Sequence, residues 1–289
     1  MPTSIAEAIL QGAPYLRKAG VPEARREAGS LLAHVIGRDR TFILSHADEQ
    51  ISEAQLQEFR RTLDLRAGGQ PLQYITGHQE FFGLDFEVTS DVLIPRPETE
   101  LLVKEALEAL TRRGKLDAPL IADIGTGSGC IAVALAHAWP GAVAYATDFS
   151  AGALRQARSN AARHGVEARI QFIEGDLFAA LQGMGLEGRL DVILSNPPYI
   201  PDGDMSGLQR EVTREPRLAL AGGPDGLVVH RRLLQEAGPY LASGGRLIVE
   251  MGQGQAEPLR QMAGELGWSV ARTIRDHADI ERVLVLQKS

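Results

Sequence analysis

Two short stretches of this 289-residue chain combine residue types at spacings that bear on chemistry. The first, Asn196-Pro197-Pro198-Tyr199, follows the apolar run Asp191-Val192-Ile193-Leu194-Ser195. Prolines donate no ladder hydrogen bond, so a strand stops there. Their fixed φ also stiffens the backbone that aims the Asn196 carboxamide and the neighbouring carbonyls. An asparagine oxygen accepts one N–H and a backbone carbonyl a second, which together hold a planar –NH2 with its face toward a methyl donor. An amide nitrogen is a poor nucleophile because its lone pair is delocalised. Acceptors at both N–H groups favour a pyramidal nitrogen and stabilise the positive charge that develops on it during in-line attack. Positioning supplies much of the rest, about 7–11 kcal/mol in well-oriented intramolecular reactions. Asn196, Pro197 and Tyr199 are the candidate catalytic residues, and Asn196, Pro197, Pro198 and Tyr199 the candidate substrate-binding set, with the Tyr199 ring packed on the substrate group. A turn of rigid prolines capped by asparagine is the structural alternative.

The second stretch, Asp123-Ile124-Gly125-Thr126-Gly127-Ser128-Gly129, follows an apolar strand-like run and opens a helix. Alternate glycines let the backbone turn sharply and approach a ligand without Cβ obstruction. A phosphate loop would need Gly-x-x-x-x-Gly-Lys-Ser/Thr, and a dinucleotide fingerprint would need glycine where Cys130 stands. Asp148 ends the next strand-like run, where a carboxylate accepts hydrogen bonds from both ribose hydroxyls. A nucleoside without a pyrophosphate fits this pattern, with S-adenosylmethionine the main candidate. The candidate cofactor residues are Gly125, Thr126, Gly127, Ser128, Gly129, Asp148, Asp176, Leu177 and Asn196. Asp176 is read either as acceptor of an exocyclic amino group, with Leu177 and Phe178 covering the ring, or as a helix N-cap.

These residues require elements to carry them. Apolar spacing of three and four predicts helices over 4–19, 22–36 and 52–67, the last opened by a capping box of Ser52 and Gln55. Ala67-Gly68-Gly69-Gln70-Pro71 breaks that pattern. Residues 79–95, with Phe81, Phe82, Gly83, Phe86 and Val88, read as a β-hairpin linker. Pro97, Glu98 and Glu100 suit the N-terminus of a helix running to about 112. Strand-like runs at 119–124, 142–147, 169–174, 190–195 and 245–250 alternate with helical runs at 129–138, 150–164 and 227–241, which predicts a doubly wound parallel sheet. Residues 268–274 and 282–287 resemble a closing strand pair. The expected division is a helical unit at 1–78, the linker at 79–95 and an α/β unit at 96–289.

The chain resembles the release-factor glutamine methyltransferase family, the S-adenosylmethionine-dependent N5-glutamine methyltransferases. The resemblance runs through Pro71-Leu72-Gln73-Tyr74-Ile75-Thr76-Gly77, Phe81-Phe82-Gly83 and Ile94-Pro95-Arg96-Pro97-Glu98-Thr99-Glu100, then the glycine loop and Asn196-Pro197-Pro198-Tyr199-Ile200. It continues through Glu211-Val212, Glu215-Pro216-Arg217, Ala219-Leu220, Gly223, Asp225-Gly226 and Glu250. Asn-Pro-Pro-Tyr alone is shared with adenine-N6 DNA methyltransferases; the Pro-Arg-Pro-Glu-Thr and Glu-Pro-Arg segments make the match specific. The resemblance implies a Rossmann-like class I methyltransferase domain with a small N-terminal helical bundle for substrate recognition. It implies methylation of the glutamine in the Gly-Gly-Gln motif of class 1 peptide chain release factors. It carries cofactor contacts to Gly125 through Gly129, Asp148 and Leu177, and substrate contacts to Asn196 through Tyr199. Some members have tryptophan where Leu177 stands; leucine keeps the apolar cover and loses ring stacking.

Composition narrows the remaining classes. Hydrophobic residues make up 44% and charged residues 23%, a globular balance without a run long enough for a membrane span. The N-terminus shows no export signal, and the single cysteine, Cys130, fits a reducing cytoplasm. Cys130 reads as a small core residue or, at a helix start, as a thiol of lowered pKa. The seven histidines form no metal-ligand set, so no metal is expected. Residues 1–78 carry nine Lys/Arg and nine Asp/Glu, so the formal charge of −7 falls wholly on the rest. A neutral N-terminal unit disfavours an adenine-N6 nucleic-acid methyltransferase, which needs a basic target-recognition segment, and no direct nucleic-acid or membrane partner is expected. Methylation of a ribosomal-protein glutamine and an inactive cofactor-binding interaction protein remain alternatives. Residues 201–226, rich in proline and glycine, read as a substrate-binding lid, with Arg214 and Arg217 as candidate steering charges.

Overall fold

The computed structural model describes residues 3–114 and 117–288. The chain divides into two compact units, one of residues 1–78 with 209–214 and one of 79–208 with 215–289. The second stretch of the first unit departs from the sequence expectation, which placed 209–214 with the α/β unit.

In the first unit a two-residue strand β1 (Thr3–Ser4) pairs with β2 (Gln50–Ile51); the helices are α1 (Ile5–Lys18), α2 (Ala24–Ile36) and α3 (Arg40–Ser45) before β2, and α4 (Glu53–Ala67) and α5 (Leu72–Thr76) after it. Both α1 and α4 open with capping boxes, Ser4 with Glu7 and Ser52 with Gln55, so two orphan donors are satisfied at each start. The apolar faces meet in a core that includes Leu16, Leu31, Leu32, Phe59 and Leu63. A Cβ on Gly12 would lie 3.0 Å from Phe59 and Leu63, so glycine lets α1 approach α4 closely. Within this core region Arg66 is buried and carries two acids: Nε lies 2.5 Å from Glu27 and Nη1 2.7 Å from Glu211. Arg210 and Arg214 donate to the carbonyls of Ala67 and Gly68. Residues 209–214 thus join the helical unit through charge-assisted bonds that a sequence pattern does not display.

The second unit opens with a hairpin of β3 (His78–Phe81) and β4 (Leu84–Glu87). A 3-10 turn at Pro97–Thr99 then leads into α6 (Glu100–Arg112). The alternating elements are β5 (Leu120–Ile124), α7 (Cys130–Ala138), β6 (Val143–Asp148), α8 (Ala151–Arg163), β7 (Ile170–Glu174), β8 (Leu190–Ser195), α9 (Val228–Glu236), β9 (Leu241–Glu250), α10 (Ala256–Glu265), β10 (Trp268–Arg275) and β11 (Glu281–Lys288). They form a seven-stranded sheet in the order β10-β11-β9-β8-β5-β6-β7. Strands β5 to β9 pair in parallel, and β11 runs antiparallel to β9 and β10. All six residues of β8 are buried, which is why Val192, Ile193 and Leu194 follow one another without polar alternation. Helices α6, α7 and α8 cover one face and α9 and α10 the other, each over its own apolar cluster. Helix α10 and the first four residues of β9 were not expected. Pro258 sits in the first turn of α10, where proline is tolerated, and Gly244 and Gly245 weaken the strand signal of β9.

The strand order reverses at β5, whose neighbours are β6 on one side and β8 on the other. Ligands of open α/β sheets bind beyond the strand C-termini at such a switch point. Asp123–Gly129 leaves the end of β5 and Asn196–Tyr199 leaves the end of β8, so the two chemical stretches become neighbours through the sheet order.

Candidate active site

A cavity of about 320 Å³ opens at this point, and its walls include Gly125 to Ser128, Thr147, Asp148, Asp176, Leu177 and Asn196 to Pro198. The glycine loop is hooked onto the end of β6. Gly125 and Thr126 donate to the Thr147 carbonyl at 2.9 and 2.8 Å, and Gly127 donates to Asp148 Oδ2 at 2.8 Å. Gly125 and Gly127 take positive φ, 77° and 56°, and a Cβ at either would meet open space. Both line the cavity, so side chains there would fill space that the loop keeps for a ligand. Gly129 does not line the cavity; its φ is 81° and its Cβ would fall 3.0 Å from Ala157, so its role is close packing of α7 against α8.

Asp123 holds the loop from below. Its Oδ2 accepts from Thr126 Oγ1 at 2.6 Å and from the Ala132 N–H at 3.2 Å, and burial pushes its carboxyl up to about 7. Asn160, fully buried in α8, donates to the Ser128 carbonyl at 2.9 Å and exchanges hydrogen bonds with the backbone of Glu87. It ties the loop to the hairpin, a role that a single asparagine in a helix does not advertise.

Asp148 lies at the cavity edge with its two oxygens accepting from Gly127 and Ser150. Each carboxylate oxygen keeps further acceptor capacity. Burial raises its pKa against the backbone hydrogen bonds that favour the anion. Thr147 also borders the cavity; it is fully buried, and its hydroxyl has no partner among the described residues. Exposed Phe149 and Leu218 stand on the same walls.

Three expectations need correction. Asp176 makes no side-chain cap; its carboxylate accepts from Arg232 Nη1 at 2.9 and 3.0 Å, although the residue does line the cavity. Phe178 does not cover a ligand, because it is buried and stacked on Tyr240 with ring centroids 5.2 Å apart. Leu177, at a φ of 48°, turns the chain so that it lines the cavity while Phe178 enters the core. Tyr199 is not a cavity-wall residue. Its hydroxyl is pushed up to about 12, first by burial and then by Glu250, and its carbonyl accepts from Gln255 at 2.8 Å. Cys130 is the core thiol, raised to about 12 by burial.

Asn196 sits on the wall with its nitrogen committed. Nδ2 donates to Thr99 Oγ1 at 3.1 Å, and Oδ1 accepts nothing among the described residues. Glu215 borders the same region: its buried carboxylate accepts the Ile94 N–H at 3.0 Å and pairs with Arg96. This fixes the return of the chain from 214, after which Pro216, Leu218 and Ala219 line the cavity. Thr99, Asn160 and Glu215 were not singled out as site residues, since each acts through a partner far away in sequence. Among the described residues no cluster of His, Cys, Asp and Glu suits a metal ion, and no helix is long and apolar enough to cross a membrane.

Comparison with known proteins bears on this geometry. Residues 7–77 match the model of the PrmC N-terminal domain and residues 98–267 that of the Methyltransferase small domain. A release factor glutamine methyltransferase of Moorella thermoacetica is 41% identical over 280 residues, covering 96% of each chain. One of Geobacter sulfurreducens is 45% identical over 271 residues, 93% of this chain and 92% of its own. This chain belongs to the release factor glutamine methyltransferase family. Membership makes S-adenosylmethionine its methyl donor, and the open glycine loop and the Asp148 carboxylate on the cavity wall fit that molecule. Among solved structures the hMettl16 catalytic domain in complex with the MAT2A 3′UTR hairpin 1 superposes with a TM-score of 0.58 at 14% identity, over 89% of this chain and 93% of its own. That likeness shows a shared methyltransferase fold.

Proposed function

We propose that this family member methylates the side-chain nitrogen of the glutamine in the Gly-Gly-Gln motif of class 1 peptide chain release factors, and does so in the cytoplasm. The carrying observation is Asn196: its nitrogen is engaged by Thr99 and its oxygen is left free on the wall of a cavity that also holds the glycine loop. S-adenosylmethionine supplies an electrophilic methyl on a sulfonium sulfur. Gly125, Thr126, Gly127 and Ser128 would hold it, Asp148 would accept from its ribose hydroxyls, and Leu177 would cover its base. The Asn196 oxygen accepts one N–H of the substrate amide and a carbonyl of the Pro197-Pro198 backbone the other. Held so, the nitrogen loses amide conjugation, and both acceptors stabilise the charge that develops on it. Its proton leaves after transfer, so no general base is required. The residues 1–78 serve recognition of the protein substrate.

The reading is tested by incubating the protein with labelled S-adenosylmethionine and a recombinant class 1 release factor, then mapping the label. Label on the Gly-Gly-Gln glutamine is expected. Label confined to a ribosomal protein or to nucleic acid in parallel reactions overturns the substrate assignment.

A further inference from the structure

Asn196 can serve as an acceptor only if its carboxamide faces the right way, and an isolated carboxamide has two faces of nearly equal shape. The structure contains the means to choose. Strands β8 and β9 pair in register with Ser195 opposite Val249, so the residues that follow, Asn196 and Glu250, emerge side by side. Thr99, the last residue of the 3-10 turn before α6, is buried between them. Its Oγ1 donates to Glu250 Oε2 at 2.7 Å and receives Asn196 Nδ2 at 3.1 Å. A hydroxyl has one proton. Once that proton is given to a carboxylate, which only accepts, the oxygen presents only lone pairs to Asn196. The carboxamide must then offer its nitrogen to Thr99 and its oxygen to the cavity.

We propose that Thr99 and Glu250 form a positioning relay that sets the orientation of the Asn196 carboxamide for the substrate amide. This deepens the reading of Asn196 as substrate acceptor and rests on it. Glu250 is itself fixed: it is buried, and its carbonyl accepts from His230 Nε2 at 2.8 Å. The relay needs Glu250 ionised, because a protonated carboxyl donates to Thr99 and frees the threonine proton to turn toward Asn196. Burial raises the Glu250 carboxyl to about 7; Thr99 and the cations Arg282 and Arg96 work against this, and Glu98 with it. His230 is driven down to about 4 by burial, while Cys130 and Tyr199 are driven up to about 12. Arg96 is paired with Glu215 and Arg282 with Asp276.

The test uses the full-length enzyme with a recombinant class 1 release factor and measures kcat, KM and cofactor Kd for Thr99→Val, Thr99→Ser and Glu250→Gln. Misorientation of one positioning group costs up to about a hundredfold in rate. Thr99→Val is expected to lower kcat about 10- to 100-fold while KM and cofactor Kd stay within about twofold, and Thr99→Ser to recover most of the loss. The wild-type kcat is expected to rise with pH through a limb near 7 that Glu250→Gln flattens. A Thr99→Val enzyme with wild-type kcat, or a limb that Glu250→Gln leaves unchanged in an Asp123→Asn background, where the other carboxyl raised to about 7 is absent, overturns the relay. Should Thr99→Val fail to bind cofactor, the pH profile of Glu250→Gln decides alone. Asn196→Ala separates the two readings: full activity there removes the acceptor assignment itself, whereas an inactive Asn196→Ala beside fully active relay variants removes only the relay.

Discussion

On the proposed reading, the chemistry of this site resides in acceptors rather than in acids and bases. Asn196 and Asp148 would then act by where their oxygens stand, so their replacement should separate rate from affinity. Asn196→Ala removes an interaction made with the reacting nitrogen; kcat is expected to fall by at least about a hundredfold, with cofactor Kd changed less than about threefold by calorimetry. Retained turnover would contradict the role. Asp148→Ala removes a charged acceptor together with its hold on Gly127. Hydrogen bonds to charged groups are worth about 1.5–3 kcal/mol, so cofactor Kd is expected to rise about ten- to hundredfold. At saturating cofactor the rate should return to within a few-fold, and a large residual kcat defect would place Asp148 in the chemistry instead. The side-chain types at these two positions are informative because each sits in a short local pattern. Thr99 and Glu250, 151 residues apart, have no local pattern, and their meeting depends on which strands are neighbours.

At the scale of elements, the glycine loop depends on a buried acid at the end of β5. Asp123 and Glu250 both have carboxyls raised to about 7 by burial. In the folded protein they keep protons that the unfolded chain releases near pH 4, so the folded state binds more protons between about pH 4 and 7. Their contribution to stability is therefore fully present below about 4 and is lost as pH rises to about 7. Asp123→Asn keeps an acceptor for Thr126 without the ionisation, and urea titrations at pH 5 and 8 are expected to show a smaller stability difference than in the wild type. An unchanged difference would mean that Asp123 is already ionised at pH 5. The elements themselves were largely legible: the parallel strands read as apolar runs and α4 announced itself through Ser52 and Gln55. Helix α10 was hidden by Pro258 and flanking glycines. Phe178 was assigned to the ligand by adjacency, but chain direction at Leu177 sends its ring into the core. The long segment 201–226 looked uniform; only the buried Arg66 and the buried Glu215 reveal that its parts belong to different units.

On the scale of the whole molecule, the two units bury separate cores, one built from residues between Ile5 and Leu63 and two from residues between Phe81 and Leu286. Units with their own cores fold independently in principle. Every wall residue of the cofactor cavity falls between Asp91 and Val229, and none lies in 209–214. A variant that starts at Gln79 and carries Gly/Ser in place of 209–214, whose partner Arg66 is then missing, should keep the cavity whole. Its cofactor Kd is expected to stay within about threefold of the full chain. Binding energy from remote parts of a substrate is used at the reacting centre, so kcat/KM for an intact release factor is expected to fall by at least about tenfold. A short peptide that contains Gly-Gly-Gln cannot use a remote recognition surface and should be methylated equally by both forms. The neutral charge of residues 1–78 predicts that this difference survives from 50 to 300 mM salt, since recognition without net charge is weakly screened. Equal losses on peptide and protein would instead make the helical unit a support for the catalytic site, and a difference that vanishes at high salt would make recognition electrostatic.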